Sequence, residues 1–179
     1  MLVVCTANVC RSPVAERMLQ RRFDERGSDI AVTSAGTHGG RNRVHEDTVR
    51  AARELDVDLR HHESRLLTAD LIRTDGADLI ITMTREHLRS VVGIDPGAWP
   101  RSFTLKELAR RGLNVPVSVD DLGEWVRLAG DGRRAADMMN PSSDDDLDDP
   151  YGGPYQGHVQ MVHEVDALVG RIAQLLPTA

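Results

Sequence analysis

Only two cysteines occur in the 179 residues, Cys5 and Cys10, and both fall in one short segment. A disulfide framework therefore does not staple this fold, and an unpaired thiol persists best in a reducing compartment, so the expected location is the cytoplasm. No apolar stretch reaches the roughly 20 residues that would span a bilayer. The N-terminus enters an apolar run at once, without the charged region that opens a secretory signal. No membrane partner is expected. Positive charge is in deficit as well: 22 Lys and Arg face 28 Asp and Glu, and the net charge of -6 argues against general nucleic-acid binding. Metal-ligand spacing is missing too. His61 and His62 are chain neighbours that point different ways with no suitably spaced third ligand. The acidic run from Asp144 to Asp149 lacks the glycine and spaced oxygens of a calcium loop. Neither a metal nor a cofactor is expected. There is no internal repeat, and at 179 residues the chain is long enough to bury one core as a single domain.

What is present alternates between two periodicities. Leu2-Val3-Val4 is a buried-strand run, and Val14 to Phe23 reads as a helix with Val14, Met18, Leu19 and Phe23 on one face, ended by Gly27. Ile30 to Ser34 reads as a second strand. Glu46 to Leu55 follows as a helix with Val49, Ala52 and Leu55 inward, then Asp78 to Met83 as a strand, Thr84 to Val92 as a helix and Arg101 to Leu105 as a fourth strand. Leu122 to Met139 reads as one amphipathic helix with Arg127, Arg133 and Arg134 exposed, broken by Pro141-Ser142-Ser143. From Tyr155 to Leu176, apolar residues recur at helical spacing through Val159, Val162, Val165, Val169 and Ile172. Alternating strands and helices predict an α/β fold: a three-layer sandwich with a central four-stranded parallel sheet flanked by helices.

The chemistry concentrates at the first turn. Cys5-Thr6-Ala7-Asn8-Val9-Cys10-Arg11-Ser12-Pro13 runs from the first strand into the first helix, where Pro13 suits the first helical position. A cysteine at a strand end is usually a small buried hydrophobe, and Cys-x5-Arg alone is common. Strand, loop and helix together give a stronger signal. Backbone N–H groups at a helix N-terminus converge on an anion, with the positive end of the helix dipole behind them. Arg11 supplies a fork for two phosphate oxygens, and the same positive field favours a Cys5 thiolate to which Ser12 donates. The predicted phosphate-binding loop therefore comprises Thr6, Ala7, Asn8, Val9, Cys10, Arg11 and Ser12, with Cys5 as nucleophile. A proton donor is also needed for the leaving oxygen, and an aspartate before proline is held extended, near the final helix. Five aspartates in six positions leave the choice between Asp148 and Asp149 open.

Cys-x-x-Asn-x-Cys-Arg-Ser-Pro beside the N-terminus resembles the signature of the low-molecular-weight protein tyrosine phosphatases, a family that also contains arsenate reductases and protein-arginine phosphatases. Thr33-Ser34-Ala35-Gly36-Thr37, His62-Glu63-Ser64-Arg65, Ala77 to Met83 and Asp149-Pro150-Tyr151-Gly152 resemble further family segments in the same order. The stretch from about 110 to 146 looks like an insertion. The resemblance implies a phosphomonoester hydrolase working through a phosphocysteine, with Asp149 as the acid. It also implies that Asn8 shapes the loop through Ser12, Ser34 and His62. Ala7 stands where the family has glycine, which would strain the loop if its φ had to be positive.

Tyr151, and Trp125 beside it, are expected as apolar walls for an aryl phosphate. Val9 stands where the resemblance places a threonine in arginine-directed members, so a phosphotyrosine protein is the expected substrate. A small phosphoester is the other candidate, and inorganic phosphate or a similar oxyanion should bind. Arsenate reduction with an external thiol partner is an alternative that the lack of cysteines beyond Cys10 disfavours. A non-catalytic phosphate-binding module is another. Cys10 is a redox candidate, able to form a reversible disulfide with Cys5 that protects it.

Overall fold

The computed structural model describes residues 1–73, 76–139 and 144–177. Four strands, β1 (Leu2–Cys5), β2 (Thr33–Gly36), β3 (Ile80–Thr82) and β4 (Ser102–Thr104), form one sheet in the order β2-β1-β3-β4 with every pair parallel. The α-helices among the described residues are α1 (Arg11–Glu25), α2 (Glu46–Arg53), α3 (Ala69–Ile72) and α4 (Arg85–Ile94), which lie between strands, and α5 (Leu105–Arg111), α6 (Leu122–Ala129) and α7 (Tyr155–Leu175), which follow β4. The strands are buried throughout apart from Thr33, as expected of a parallel sheet covered on both faces. Two cores result. The larger packs Val3, Ile81 and Phe103 under α1, α2, α5 and α7, and the smaller packs Leu2, Val4, Ala35 and Ile80 against Ile72, Val91 and Ala98. This is the three-layer α/β arrangement expected from the alternation.

Several boundaries differ from expectation for local reasons. The second strand begins at Thr33 rather than Ile30, because the Val32 N–H donates to the Gln20 side chain (2.8 Å) and the ladder with β1 starts at Leu2↔Thr33. It then continues to Gly36, opposite Cys5. A Cβ at Gly36 would lie 2.6 Å from the Thr6 carbonyl oxygen, so only glycine lets β2 pass this close to the loop. Helix α1 starts at Arg11, three residues earlier than Val14. Pro13 is therefore its third residue and not its first, which costs nothing because the first turn's N–H groups have no intrahelical partner anyway. In α2 the buried face is Thr48, Ala51 and Ala52, with Val49 only half-buried and Leu55 beyond the helix end.

The segment from 105 to 139 departs most. Leu122 to Met139 is not one helix: α6 ends at Ala129, the chain turns through Gly130 and Gly132 (φ 72°), and a short 3-10 turn covers Ala135–Met139. The expected break at Pro141-Ser142-Ser143 lies outside the described residues. Arg133 is buried rather than exposed. Its guanidinium is sandwiched about 4.0 Å from the rings of Trp99 and Phe103 and bonds Glu107, the Ser102 carbonyl and the Trp99 carbonyl. Trp125 is buried against Gly112 in the main core, so it provides no substrate wall. Among the described residues, no helix is long and apolar enough to cross a membrane.

Candidate active site

Cys5 ends β1 at the carboxyl edge of the sheet, where the chain turns through Thr6–Cys10 and enters α1. The turn is held from inside by Asn8, which is fully buried and takes a left-handed backbone (φ 56°) that asparagine tolerates well. The positive φ thus falls on Asn8 and not on Ala7, so alanine at position 7 carries no such strain. The Asn8 amide donates to Ser12 Oγ (2.9 Å) and Ser34 Oγ (2.7 Å). Its Oδ1 accepts from the Arg65 backbone N–H (3.0 Å) and lies 3.2 Å from His62 Nε2. Ser34 in turn donates to Glu16, which also faces His62 Nδ1 at 3.7 Å. Burial holds the His62 pKa below its ordinary value, against the pull of Glu16.

Two donors meet the Cys5 sulfur. The Asn8 backbone N–H lies 3.3 Å away and Ser12 Oγ 2.9 Å away. Because Ser12 Oγ accepts from Asn8, its own hydrogen is left for the sulfur, so both contacts suit a negative Sγ. Cys10 is the second thiol of the loop, and like Cys5 it makes no disulfide. It is buried, and burial pushes its pKa up to about 11 despite a hydrogen bond with Thr48, which keeps it protonated at neutral pH.

Arg11 crosses the mouth of the loop with its side chain only 4% exposed. Nη1 donates to the Leu147 carbonyl (3.2 Å), and Nη2 donates to Thr6 Oγ1 (3.0 Å) and to the Asp149 carboxylate. Nε is buried with no partner among the described residues. A buried guanidinium N–H without an acceptor carries a desolvation cost, and beside a nucleophile it marks where an oxyanion belongs. Asp149 is partly exposed, and its Oδ1 accepts from the Tyr151 N–H (3.2 Å), which turns Tyr151 outward over the site. Asp148 makes no contact with Arg11 or the loop among those described.

These groups surround a cavity of about 260 Å³, with Cys5, Thr6, Val9, Arg11, Asp149 and Tyr151 on its walls and Ala7 and Cys10 beside them. Asn8, Ser12, Ser34 and His62 lie behind it as supports. A larger cavity of about 490 Å³ opens between Trp99, Arg101 and α6, but neither cysteine lines it. His45, Asp47 and His158 bring their ligand atoms within 4.8 Å of one another. The two imidazoles are stacked at 4.6 Å with only 18° between their planes, so an ion between them would sit out of both rings.

Some site residues have no sequence role assigned above. Arg65 caps Asn8 and donates from Nε to the Ser34 carbonyl, Glu16 closes the Ser34–His62 contact, and His87 reaches Thr6 from α4 across 81 positions. For His87 one local signal existed: Thr84-x-x-His87 is a helix-start spacing, and Thr84 does cap α4.

The profile of the low molecular weight phosphotyrosine protein phosphatases matches residues 1–123. The chain is 41% identical over 96 residues to the low molecular weight protein-tyrosine-phosphatase Etp of Escherichia coli, covering 53% of this chain and 61% of Etp. Across almost its full length (99% of this chain, 95% of the relative) it is 27% identical to a protein-arginine-phosphatase of Geobacillus stearothermophilus. In three dimensions it overlays a low molecular weight protein tyrosine phosphatase from T. tengcongensis with a TM-score of 0.73 at 25% identity, covering 98% of this chain and 97% of that one. A cysteine-to-serine mutant of the arginine phosphatase YwlE, with its active-site serine phosphorylated, overlays with a TM-score of 0.72 at 25% identity, covering 97% of this chain and 92% of that one. The aligned part spans less than two thirds of Etp, whereas the fold is shared end to end. With the profile covering more than half its residues, the chain belongs to the low molecular weight phosphotyrosine protein phosphatase family.

Proposed function

We propose that this protein is a cysteine phosphatase that hydrolyses phosphotyrosine in proteins, in the cytoplasm, through a phosphocysteine at Cys5. The observation that carries the reading is the cavity lined by both Cys5 and Arg11, whose buried Nε–H has no partner among the described residues. In the first step the Cys5 thiolate attacks phosphorus, the S–P bond forms and the P–O bond to the leaving group breaks. Asp149, which takes up a proton from solvent once it has left Arg11, gives that proton to the leaving oxygen. Backbone N–H groups of the loop and the Arg11 fork stabilise the charge spread over the phosphoryl oxygens. In the second step water attacks phosphorus and passes a proton to Asp149, and inorganic phosphate leaves with the thiolate restored.

Tyr151, 65% exposed on the rim, and Val9 on the wall support an aromatic ester. The full-length likeness to a protein-arginine-phosphatase supports a second reading, phosphoarginine in proteins. Cys10 fits a protective partner for Cys5, with its burial keeping it unreactive until Cys5 is oxidised. The test is turnover of phosphotyrosine and phosphoarginine peptides side by side. Phosphotyrosine hydrolysis that disappears in Cys5→Ser is expected. Faster phosphoarginine hydrolysis would select the second reading, and phosphate binding without turnover of either would remove both.

A further inference from the structure

Thr6 stands on the cavity wall, and its hydroxyl oxygen lies between two nitrogens: Arg11 Nη2 at 3.0 Å and His87 Nε2 at 2.9 Å. Arg11 is always a donor. The role of His87 follows from its other side. Nδ1 lies 2.8 Å from Thr84 Oγ1, and that same oxygen accepts from the His87 backbone N–H (3.3 Å) as the cap of α4. One lone pair of Thr84 Oγ1 is thereby taken, which leaves its hydrogen and its second lone pair for Nδ1. Where Thr84 donates, Nδ1 accepts and the nitrogen facing Thr6 carries the ring's hydrogen. His87 is almost fully buried, and burial with Arg11 nearby holds its pKa at about 3, so the ring is neutral and carries one hydrogen only.

In that tautomer both lone pairs of Thr6 Oγ1 face donors, which leaves its own hydrogen for something else. No protein acceptor takes it among the contacts described for Thr6. Resting on the phosphatase reading above, we propose that His87 carries its hydrogen on Nε2, that Thr6 therefore donates a side-chain hydrogen bond to a phosphoryl oxygen of the substrate, and that His87 is a positioning residue that fixes this hydroxyl as a donor. The relay Thr84, His87, Thr6 adds one neutral donor to the loop's backbone N–H groups and Arg11. It acts on the phosphoryl group, which phosphotyrosine and phosphoarginine share, so it does not depend on which of the two is cleaved.

The experiment compares Thr6→Val, Thr6→Ser, His87→Leu and His87→Gln with para-nitrophenyl phosphate as substrate and inorganic phosphate as inhibitor. Thr6→Val should lower kcat/KM roughly 10-fold, the size of one hydrogen bond to a charged group. Most of that loss should fall on kcat, and Thr6→Ser should return the rate to within about twofold of the parent. His87→Leu leaves the Thr6 oxygen in place to brace Arg11 but frees the hydroxyl to turn, and should cost roughly threefold, partly recovered in His87→Gln, whose amide still donates. In a Thr6→Val background the same His87 changes should cost nothing further, because their effect passes through Thr6. A Thr6→Val enzyme within twofold of the parent would overturn the donor role. Losses that multiply when the two sites are combined would overturn the relay. If the parent turns over no phosphorylated compound, the function reading fails on its own, and weakened phosphate affinity in Thr6→Val, restored in Thr6→Ser, still decides this one.

Discussion

Arg11 and Arg133 are buried to the same depth, with side chains 4% and 3% exposed, yet the protein treats them in opposite ways. Arg133 is used up. Nε and Nη2 bond Glu107, Nη2 also bonds the Ser102 carbonyl, Nη1 bonds the Trp99 carbonyl, and two aromatic rings close on the guanidinium faces. Arg11 is left incomplete. Among the described residues its Nε has no acceptor, and one of its contacts is to a half-exposed carboxylate. A buried cation that the protein satisfies holds structure together, whereas one it leaves unsatisfied is waiting for a ligand.

The contrast is sharpest in activity. Arg11→Lys keeps the charge but loses the planar fork, and turnover should fall roughly 10³-fold in steady-state assays of an aryl phosphate. Arg133→Met should leave turnover per folded molecule within about twofold of the parent. Stability should show the reverse. Arg133→Met strips Glu107 of its best partner and should lower unfolding free energy in urea by roughly 3 kcal/mol. Arg11→Met, which removes an incompletely paired buried cation, should change it by less than about 1 kcal/mol in either direction. Equal losses from both would break the comparison.

Much of this contrast was hidden from sequence reading. The apolar run Leu2–Val4 and the long period of α7 are local signals, so the first strand and the last helix were legible within a residue or two, whereas β2 starts three residues later than its sequence suggests. The same is true of Cys5 and Arg11, which share one turn. Arg133 was read as exposed because nothing local marks its pairing with Glu107, 26 positions away, or with Trp99 and Phe103. A helix continuing through Gly130-Asp131-Gly132 would have pointed it outward, and the turn at those glycines sends it in. The Thr6–His87 contact was hidden for the same reason. Asp149 needed a resemblance to separate it from four other aspartates, since only the fold brings it to Arg11.

Inorganic phosphate offers a finer test. At about 100 times its dissociation constant it should stabilise the parent and Arg133→Met alike by roughly 2.7 kcal/mol in thermal unfolding. Arg11→Met should lose most of that increment. The smallest effect concerns pH. The folded-state pKa of His87 is held at about 3 against an ordinary 6.5, and those of His62 and His158 are also lowered by burial. Below pH 6.5 the unfolded chain therefore binds more protons than the folded one, so stability rises with pH through the window between about 3 and 6.5 and is flat above it for these groups. Each contributes at most about 1.4 kcal/mol per pH unit. Urea midpoints measured from pH 7 to 5 should fall, and fall less steeply in His87→Gln, while the difference between Arg11 and Arg133 variants persists across the range.

Asp149 occupies, in the empty site, a guanidinium nitrogen that an incoming oxyanion would also seek. A dianion drawn there would compete with this carboxylate, whose Oδ1 also holds the Tyr151 N–H at the cavity rim. With nothing bound, the protein thus lends its own anion to a cation sunk in its interior.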